Sequence, residues 1–314
     1  MNRYLVPNPV NWTGRKSNQE LYLHEKVRCS SFDKIPENSI ALLGYACDEG
    51  VKRNLGRVGA AAGPDAIRRQ LGKMPNHLDS TVKFLDIGNV ACENGDMEAA
   101  QSMLEQKVSQ LLAHNTFPII IGGGHDIAYG HYNGIRKYIG TNETIGIINF
   151  DAHFDLRAND NGNNSGTPFF QIAKECKDNG SVFNYLCLGI RKDANDKILY
   201  ETANDLGVDY IENNEFSIER AKSIVRKLLE FIQKVDHIYV TIDLDGFSSA
   251  YAPGVSAPSP MGFRPKIVLE TLETIIKSKK LIGMDIAEMN PKYDIDGHTA
   301  KLAASLIHYL IHSI

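Results

Sequence analysis

The sequence lacks the features of a membrane protein or a nucleic-acid-binding protein. No apolar run approaches the ~20 residues that a membrane-spanning helix needs, and the N-terminal stretch MNRYLVPNPVNWTGRK has no apolar core typical of a secretory signal. The formal net charge of −4 at pH 7 is mild, and lysines and arginines form no cluster with interleaved aromatic residues. We therefore expect neither a membrane nor a nucleic acid as a partner.

Cysteine is scarce, and the chain has no linker, internal repeat or low-complexity tract. The five cysteines are odd in number and show no pair at metal-type spacing. A disulfide framework is therefore not expected, and a reducing cytoplasm is the predicted compartment. Because patterning is weak before residue 39, we predict an N-terminal extension over residues 1–38 and a single domain over residues 39–314.

What the sequence does contain is a regular alternation of short apolar runs with longer amphipathic segments. Runs rich in β-branched residues predict buried parallel strands. These runs are SIALLGYA, VKFLDIGNV, FPIIIGGG, TIGIINFDA, VFNYLCLGI, VDYI, HIYVTIDLD and LIGMDIAEMN. The alternation predicts a doubly wound α/β domain with a mostly parallel sheet of about eight strands, and a closed β/α barrel is the alternative.

Metal-type side chains follow three of the predicted strands, in the motifs IIIGGGHD, FDAHFD and TIDLDGF. In motif order they are His125, then Asp151, His153 and Asp155, then Asp243 and Asp245. Ligands bind at the carboxyl ends of parallel strands in either architecture. Residues two apart point to the same side of an extended chain, so we predict that these side chains converge.

Charge balance favours two divalent cations at this point. Four carboxylates in one crevice repel each other strongly, and two divalent ions would neutralise them. Carboxylate and imidazole ligands without a thiolate suit Mn²⁺ better than structural zinc. A pair of ions roughly 3.5–4 Å apart can bind one bridging water and lower its pKa. The alternatives are acids that only cap the following helices, and a metal-binding protein without turnover.

In this order the three motifs resemble the arginase, agmatinase and formimidoylglutamase family, the ureohydrolases, over about residues 41–291. The resemblance implies a three-layer α/β/α fold, a homo-oligomer and a centre of two Mn²⁺ ions. It implies one ion on a first set of ligands and one on a second, with Asp151 and Asp243 shared. The first set is His125, Asp151, Asp155 and Asp243, and the second is Asp151, His153, Asp243 and Asp245.

Within that family, the sequence resembles the formimidoylglutamase branch. Arginases and agmatinases carry GGDHS where this chain has GGGHD, and Ser165 stands where arginases have a proton-shuttle histidine. The passages CDEGVKRNLGRVGAAAGPDAIR, DAHFDLR, SGTPFFQI and APGVSAP resemble formimidoylglutamase instead. The resemblance implies hydrolysis of N-formimidoyl-L-glutamate to L-glutamate and formamide, in histidine degradation. The alternative is a related enzyme that releases urea from a guanidino acid, agmatine or arginine.

Two acidic residues are the predicted catalytic groups. The expected reaction is attack of a hydroxide held between the two metal ions on the amidine carbon. Asp155 is expected to accept the proton of the nucleophile and pass it to the departing amine nitrogen. Glu288, in DIAEMN at the end of the last strand, is expected to bind the cationic amidine. With Ser165 at the shuttle position, Asp126 is a further candidate acid.

The two carboxylates of the substrate call for cationic contacts, preferably planar guanidinium groups. Arg157 resembles the family position that contacts the amino-acid end, and Arg191 and Arg57 are further candidates. Asn164 and Ser165 are expected to add neutral hydrogen bonds. For each arginine, the alternative is a structural ion pair.

Overall fold

The computed structural model describes residues 3–17 and 19–314. Within these residues the chain forms ten β-strands. They are β1 (Arg3–Leu5), β2 (Arg28–Cys29), β3 (Ser39–Ala46), β4 (Lys83–Ala91), β5 (Phe117–Ile121), β6 (Ile145–Phe150), β7 (Asn184–Ile190), β8 (Asp209–Glu212), β9 (His237–Asp243) and β10 (Leu281–Ala287).

Helices connect most of these strands, as a parallel sheet requires. The α-helices in the described ranges are α1 (Leu23–Lys26), α2 (Glu49–Arg53), α3 (Gly63–Leu71), α4 (Met97–Ala113), α5 (Ile127–Ile139), α6 (Pro168–Asp178), α7 (Lys197–Asp205), α8 (Ala221–Gln233), α9 (Pro265–Lys277) and α10 (His298–Ile311). Short 3₁₀ turns lie at Pro9–Asn11, Phe32–Lys34, Ala60–Ala62, Ile218–Arg220 and Leu244–Gly246. No helix in the described part of the chain is long and apolar enough to cross a bilayer.

The strands form one open sheet in the order β1-β4-β3-β5-β10-β9-β6-β7-β8, with β2 also paired to β4. The pairing of β1 with β4 is antiparallel, and the other described pairings are parallel. This confirms the predicted α/β class with a mostly parallel sheet. The barrel alternative is wrong because β1 and β8 lie at opposite ends of the sheet.

The sheet has ten described strands rather than about eight, because residues before position 38 contribute two. β1 and β2 pair with successive parts of β4, at residues 89–91 and 85–86. Trp12 is buried there and its Nε1 donates to Oδ2 of Asp86 at 2.7 Å. Strands of three and two residues are too short to show an alternation in sequence. The proposed boundary at residue 38 stays a prediction.

Two apolar clusters cover the two faces of the sheet. Successive strand residues alternate between them, as Leu42 and Leu43 do in β3. One cluster includes buried residues of α3, α8, α9 and α10, and the other includes those of α4, α5, α6 and α7. Each fully buried Leu or Ile side chain stabilises the fold by about 1.5–3 kcal/mol. The three-layer α/β/α arrangement is therefore confirmed.

The order of the central strands positions the candidate site. β5, β10, β9 and β6 are neighbours in the sheet, although β9 and β10 follow β6 in the chain. The four strands are mutually parallel, so their carboxyl ends lie at one edge. The motifs with His125, Glu288, Asp243 and Asp151 all follow or end these strands. Ligand sites in such sheets form at this edge.

Candidate metal centre

Local turns bring the acidic motifs together at this edge. Oδ1 of Asp151 accepts a hydrogen bond of 2.7 Å from the backbone N–H of His153. Oδ1 of Asp243 accepts one of 2.8 Å from the backbone N–H of Asp245 in the same way. Such turns fold the second side chain back beside the first. The side chains do converge, but the expected extended geometry is wrong, because β6 ends at Phe150 and β9 at Asp243.

Two site residues have a left-handed backbone, which side-chain-bearing residues rarely adopt. The φ angle is 48° at Asp155 and 65° at Glu288. The backbone N–H of Glu288 donates to the carbonyl of Gly123 at 2.8 Å, and Oε1 of Glu288 accepts from the N–H of His125 at 3.0 Å. These contacts hold the strained conformation of Glu288, and strain of this kind is typical of functional sites.

The first cluster surrounds Nδ1 of His125. Carboxylate oxygens of Asp155, Asp151 and Asp243 lie 2.9, 3.1 and 3.2 Å from this nitrogen. Nδ1 is buried and makes no hydrogen bond of acceptable geometry in the described structure. One imidazole nitrogen and three carboxylate oxygens, all within 4.8 Å of one another, fit a hard divalent cation.

The second cluster contains His153, Asp245 and Asp151. Nδ1 of His153 lies 3.3 Å from Oδ2 of Asp245 and 3.4 Å from Oδ1 of Asp151. Oδ1 of Asp245 is buried without a hydrogen-bond partner among the described residues. Asp151 faces both clusters, one oxygen toward each. Asp243 joins the first cluster, and its role as a second shared ligand stays a prediction.

Burial and neighbouring carboxylates disfavour the ionised form of Asp155, Asp245 and Glu288. Burial raises the pKa of Asp155, and the carboxylate of Asp151 raises it further. Burial followed by the charge of Asp243 raises the pKa of both Asp245 and Glu288 well above the ordinary range. Close carboxylates disfavour each other's ionisation, so the ionised cluster requires compensating positive charge.

The two histidines respond in the opposite sense. Burial lowers the pKa of His125, but its three carboxylate neighbours together raise it well above its ordinary value. Burial also lowers the pKa of His153, while Asp245 and Asp151 raise it well above the usual range. Burial raises the pKa of Asp151, but the two histidines bring it well below its usual value. The direction of these shifts reflects an excess of negative charge around both imidazoles, which divalent cations would neutralise.

A cavity of about 360 Å³ opens over these clusters. Its lining includes Glu288 and five of the six predicted metal ligands, Asp151 being absent. Arg157 and Ser165, both predicted substrate contacts, also line it. Oε2 of Glu288 is buried and has no hydrogen-bond partner among the described residues. The cavity therefore joins an acidic floor to walls with cationic and neutral donors.

The structure does not bring Arg191 or Asn164 into the described lining of the cavity. The guanidinium of Arg191 donates from Nε and Nη2 to Asp193, at 3.1 and 2.6 Å. Oδ1 of Asn164 accepts a hydrogen bond of 2.9 Å from the N–H of Gly166, which shapes the loop. The geometry of Arg191 is therefore that of a structural ion pair.

Arg57 and Arg157 line the cavity but are held differently. Nε and Nη2 of Arg57 donate to the carbonyls of Ser256 and Val255 at 2.8 and 2.6 Å. Its guanidinium also lies 3.9 Å above the ring of Tyr293. In the described ranges no carboxylate forms an ion pair with Arg57, whereas Arg157 lies 3.7 Å from a carboxylate oxygen of Asp196. Arg57 is thus a fixed cation without a described carboxylate partner.

Sequence reasoning missed Asn54, which also lines the cavity. Its Nδ2 donates to Oγ of Ser165 at 3.2 Å. The signal for it was its position in the passage CDEGVKRNLGRVGAAAGPDAIR.

Asp126, the further candidate acid, lies outside the described lining of the cavity. Burial raises its pKa to about 7, and its Oδ2 accepts a hydrogen bond of 2.7 Å from the hydroxyl of Tyr45.

Comparisons with a family model and with individual curated proteins point to the same family over most of the chain. A model of the arginase family matches residues 38–312. A formimidoylglutamase from Aeromonas salmonicida is 41% identical over 314 residues, which cover 99% of each chain. A formimidoylglutamase from Chromobacterium violaceum is 44% identical over 298 residues, which cover 94% of this chain and 95% of that protein.

Solved structures share the fold. Trypanosoma cruzi formiminoglutamase with Mn²⁺₂ superimposes with a TM-score of 0.78 at 26% identity, covering 88% of this chain and 94% of that one. Formimidoylglutamase from Bacillus subtilis superimposes with a TM-score of 0.82 at 24% identity, covering 96% of this chain and 93% of that one. The second similarity, at its lower identity, concerns the fold alone.

Proposed function

This chain belongs to the arginase family, and on that premise we propose that it is a manganese-dependent hydrolase of linear amidines. The proposed reaction converts N-formimidoyl-L-glutamate and water to L-glutamate and formamide, as in a formimidoylglutamase. The observation that carries the proposal is the gathering of three carboxylate oxygens within 3.2 Å of Nδ1 of His125, beneath a cavity with two arginines. The full-length similarity to formimidoylglutamases supports the choice of substrate.

We propose that two Mn²⁺ ions occupy the two clusters. The first ion would be held by His125, Asp151, Asp155 and Asp243, and the second by Asp151, His153, Asp243 and Asp245. The buried, unpartnered Nδ1 of His125 and Oδ1 of Asp245 support this fit. When bound, the ions would activate a water molecule for attack on the amidine carbon.

Glu288 binds the cationic amidine in this proposal. Its Oε1 is already engaged by the N–H of His125, and its unpartnered Oε2 remains to accept from the substrate. A charge-assisted hydrogen bond would orient the amidine over the metal clusters. Asp155 would accept the proton of the nucleophile and transfer it to the departing nitrogen. Its contact with His125 and its place in the lining of the cavity support that role.

Arg157 and Arg57 bind the two carboxylates of the substrate in this proposal. Both line the cavity, and Arg57 is held in place by carbonyls rather than by an acid. Ser165 would add a neutral hydrogen bond, with Asn54 as its partner. Arg191 and Asn164 would act on the substrate indirectly, by holding the loops at this edge.

We further propose a cytoplasmic location and a homo-oligomeric assembly. All five cysteines are free thiols, which supports a reducing compartment. The resemblance to the ureohydrolases supports the assembly.

The test is parallel hydrolysis of formimidoylglutamate, arginine, agmatine and guanidino acids by the manganese-loaded protein. Equimolar glutamate and formamide from the first substrate alone is the expected result. Urea from a guanidino substrate would establish the alternative enzyme class. Two bound metal ions with no turnover of any substrate would overturn the assignment of the reaction. The Asp245→Asn variant controls for catalysis that does not need the metal centre.

A further inference from the structure

A chain of buried polar contacts extends from His125 away from the cavity and into the sheet. Nε2 of His125 lies 2.9 Å from Oγ1 of Thr241, which donates to Oδ1 of Asp285 at 2.5 Å. Oδ2 of Asp285 accepts from the hydroxyl of Tyr239 and lies 2.7 Å from Nδ1 of His131. All five residues are at most 1% exposed. None of the other four residues belongs to the described lining of the cavity.

Strand register fixes this arrangement. Asp285 in β10 lies directly opposite Thr241 in β9. His131 comes from α5 and packs against the ring of Tyr239, with centroids 4.7 Å apart. A Cβ at position 283 would lie 2.8 Å from Nε2 of His131, so glycine at 283 makes room for the ring. The backbone therefore places the carboxylate where it reaches Thr241.

The direction of the hydrogen bonds follows from the number of available protons. Asp285, as a carboxylate, can only accept, and the groups around it are all able to donate. A threonine hydroxyl has one hydrogen, and Thr241 directs it to Asp285. Oγ1 of Thr241 can then only accept from Nε2–H of His125. A neutral His125 consequently has its lone pair on Nδ1, the atom that faces the three carboxylates.

We propose that Asp285 is a positioning residue for the metal centre: it orients the Thr241 hydroxyl and thereby fixes the tautomer of His125 that binds a cation through Nδ1. The inference rests on the proposed metal centre and concerns the cluster around His125, not the one around His153. Replacing a residue that hydrogen-bonds to a metal ligand typically lowers metal affinity or activity about 10–100-fold.

The Asp285→Asn substitution tests the direction of the relay at nearly constant shape. The amide oxygen is needed to accept from Tyr239 and His131, so its NH₂ group faces Thr241. Thr241 then accepts, and its hydrogen points to Nε2 of His125. That reversal favours the wrong tautomer, with a hydrogen on Nδ1.

Mn²⁺ titration of the metal-free protein, with free Mn²⁺ measured by electron paramagnetic resonance, gives a readout independent of activity. We expect Asp285→Asn to weaken one of the two bound ions about 10-fold or more and to leave the other nearly unchanged. Asp86→Asn is the matched control, because Asp86 is equally buried in the same sheet but pairs with Arg68 at 2.9 Å. It should lower stability without changing Mn²⁺ affinity.

A second pair of variants separates positioning from general damage to the core. Thr241→Val removes the hydroxyl through which Asp285 acts, so it should also weaken one ion, and Thr241→Ser should restore the affinity. Adding Asp285→Asn to Thr241→Val should cause little further loss, because the two residues act in series. If Asp285→Asn does not fold, the Val and Ser variants still decide.

The outcomes are distinct. Unchanged affinity for both ions in Asp285→Asn, or in Thr241→Val, overturns the inference and leaves the proposed function standing. Equal weakening of both ions, or the same effect in Asp86→Asn, also overturns it. A wild-type protein that binds no Mn²⁺ overturns both the inference and the proposed metal centre.

Discussion

The backbone N–H of His125 donates a 3.0 Å hydrogen bond to Oε1 of Glu288, across a sequence separation of 163 residues. This contact joins the first and the last motif of the candidate site. It leaves Oε2 of Glu288 buried and unpartnered among the described residues, at the cavity. The carboxylate is thus oriented before a substrate arrives.

Replacing Glu288 by Gln should lower kcat/KM for formimidoylglutamate roughly 10²-fold, because a neutral amide attracts a cationic amidine less than a carboxylate does. Steady-state kinetics at saturating Mn²⁺ measure the change. Mn²⁺ content and melting temperature should stay near wild type, since the substitution keeps the size of the side chain. A variant with unchanged kcat/KM would rule out contact between Glu288 and the amidine.

Arg57→Met and Arg157→Met should each raise KM for formimidoylglutamate about 10–100-fold, the loss typical of one hydrogen bond to a charged group. The effect on kcat should be smaller, because the carboxylates are remote from the amidine carbon. Arg191→Met is the matched control, since Arg191 pairs with Asp193 and lies outside the described lining of the cavity. A KM increase in the control equal to that in the other two would contradict the assignment.

Removal of Mn²⁺ by a chelator should lower the melting temperature, and added Mn²⁺ should restore it. A ligand present at 100 times its Kd stabilises the folded state by about 2.7 kcal/mol per site. Asp245→Asn should reduce the stabilisation by Mn²⁺ and should make the metal-free protein more stable than wild type. The reason is that burial and Asp243 disfavour the charge of Asp245. Differential scanning calorimetry with and without Mn²⁺ measures both effects, and a metal-free variant less stable than wild type would contradict the electrostatic argument.

His312 should give the protein an acid-sensitive contact outside the described lining of the cavity. Its Nε2 accepts a hydrogen bond of 3.0 Å from the backbone N–H of His77, and its Nδ1 lies 2.7 Å from the carbonyl of His308. Only a neutral imidazole can accept at one nitrogen while it donates from the other. Burial lowers the pKa of His312; the hydrogen bond to the carbonyl of His308 raises it in part, and the charges of His308 and His77 lower it further, so that the pKa is lowered on balance. A lowered folded-state pKa means stability that is present above the unfolded value of about 6.5 and is lost as pH falls.

Urea unfolding between pH 8 and pH 5 tests this expectation. The midpoint of the wild type should fall more on acidification than that of His312→Gln, with Mn²⁺ present throughout. Identical pH profiles for the two proteins would show that the contact does not titrate in this range.

The strand pattern and the metal-type residues could be predicted from the sequence because both are local signals. β3 begins and ends where SIALLGYA does. The acids of FDAHFD can be recognised as metal-type ligands from this short motif, without knowledge of the strands that lie beside it. The hydrogen bond from the N–H of His125 to Glu288 could not be predicted, since it depends on two parallel strands becoming neighbours. The same holds for Arg191: its place after a strand indicated a site, but Asp193, two positions on, forms an ion pair with it.

The position of β10 has a consequence for biosynthesis. This strand follows the other nine described strands along the chain, yet it lies between β5 and β9 in the middle of the sheet. A nascent chain that has emerged only as far as residue 280 has every predicted metal ligand. It lacks β10, the strand that joins β5 to β9 in the sheet. β5, with His125 after it, and β9, with Asp243 at its end, can reach their final spacing only when Leu281–Ala287 inserts between them. Formation of the metal centre therefore has to follow the synthesis of Leu281–Ala287, and a chain released before that point would have its acidic residues without the geometry that makes them ligands.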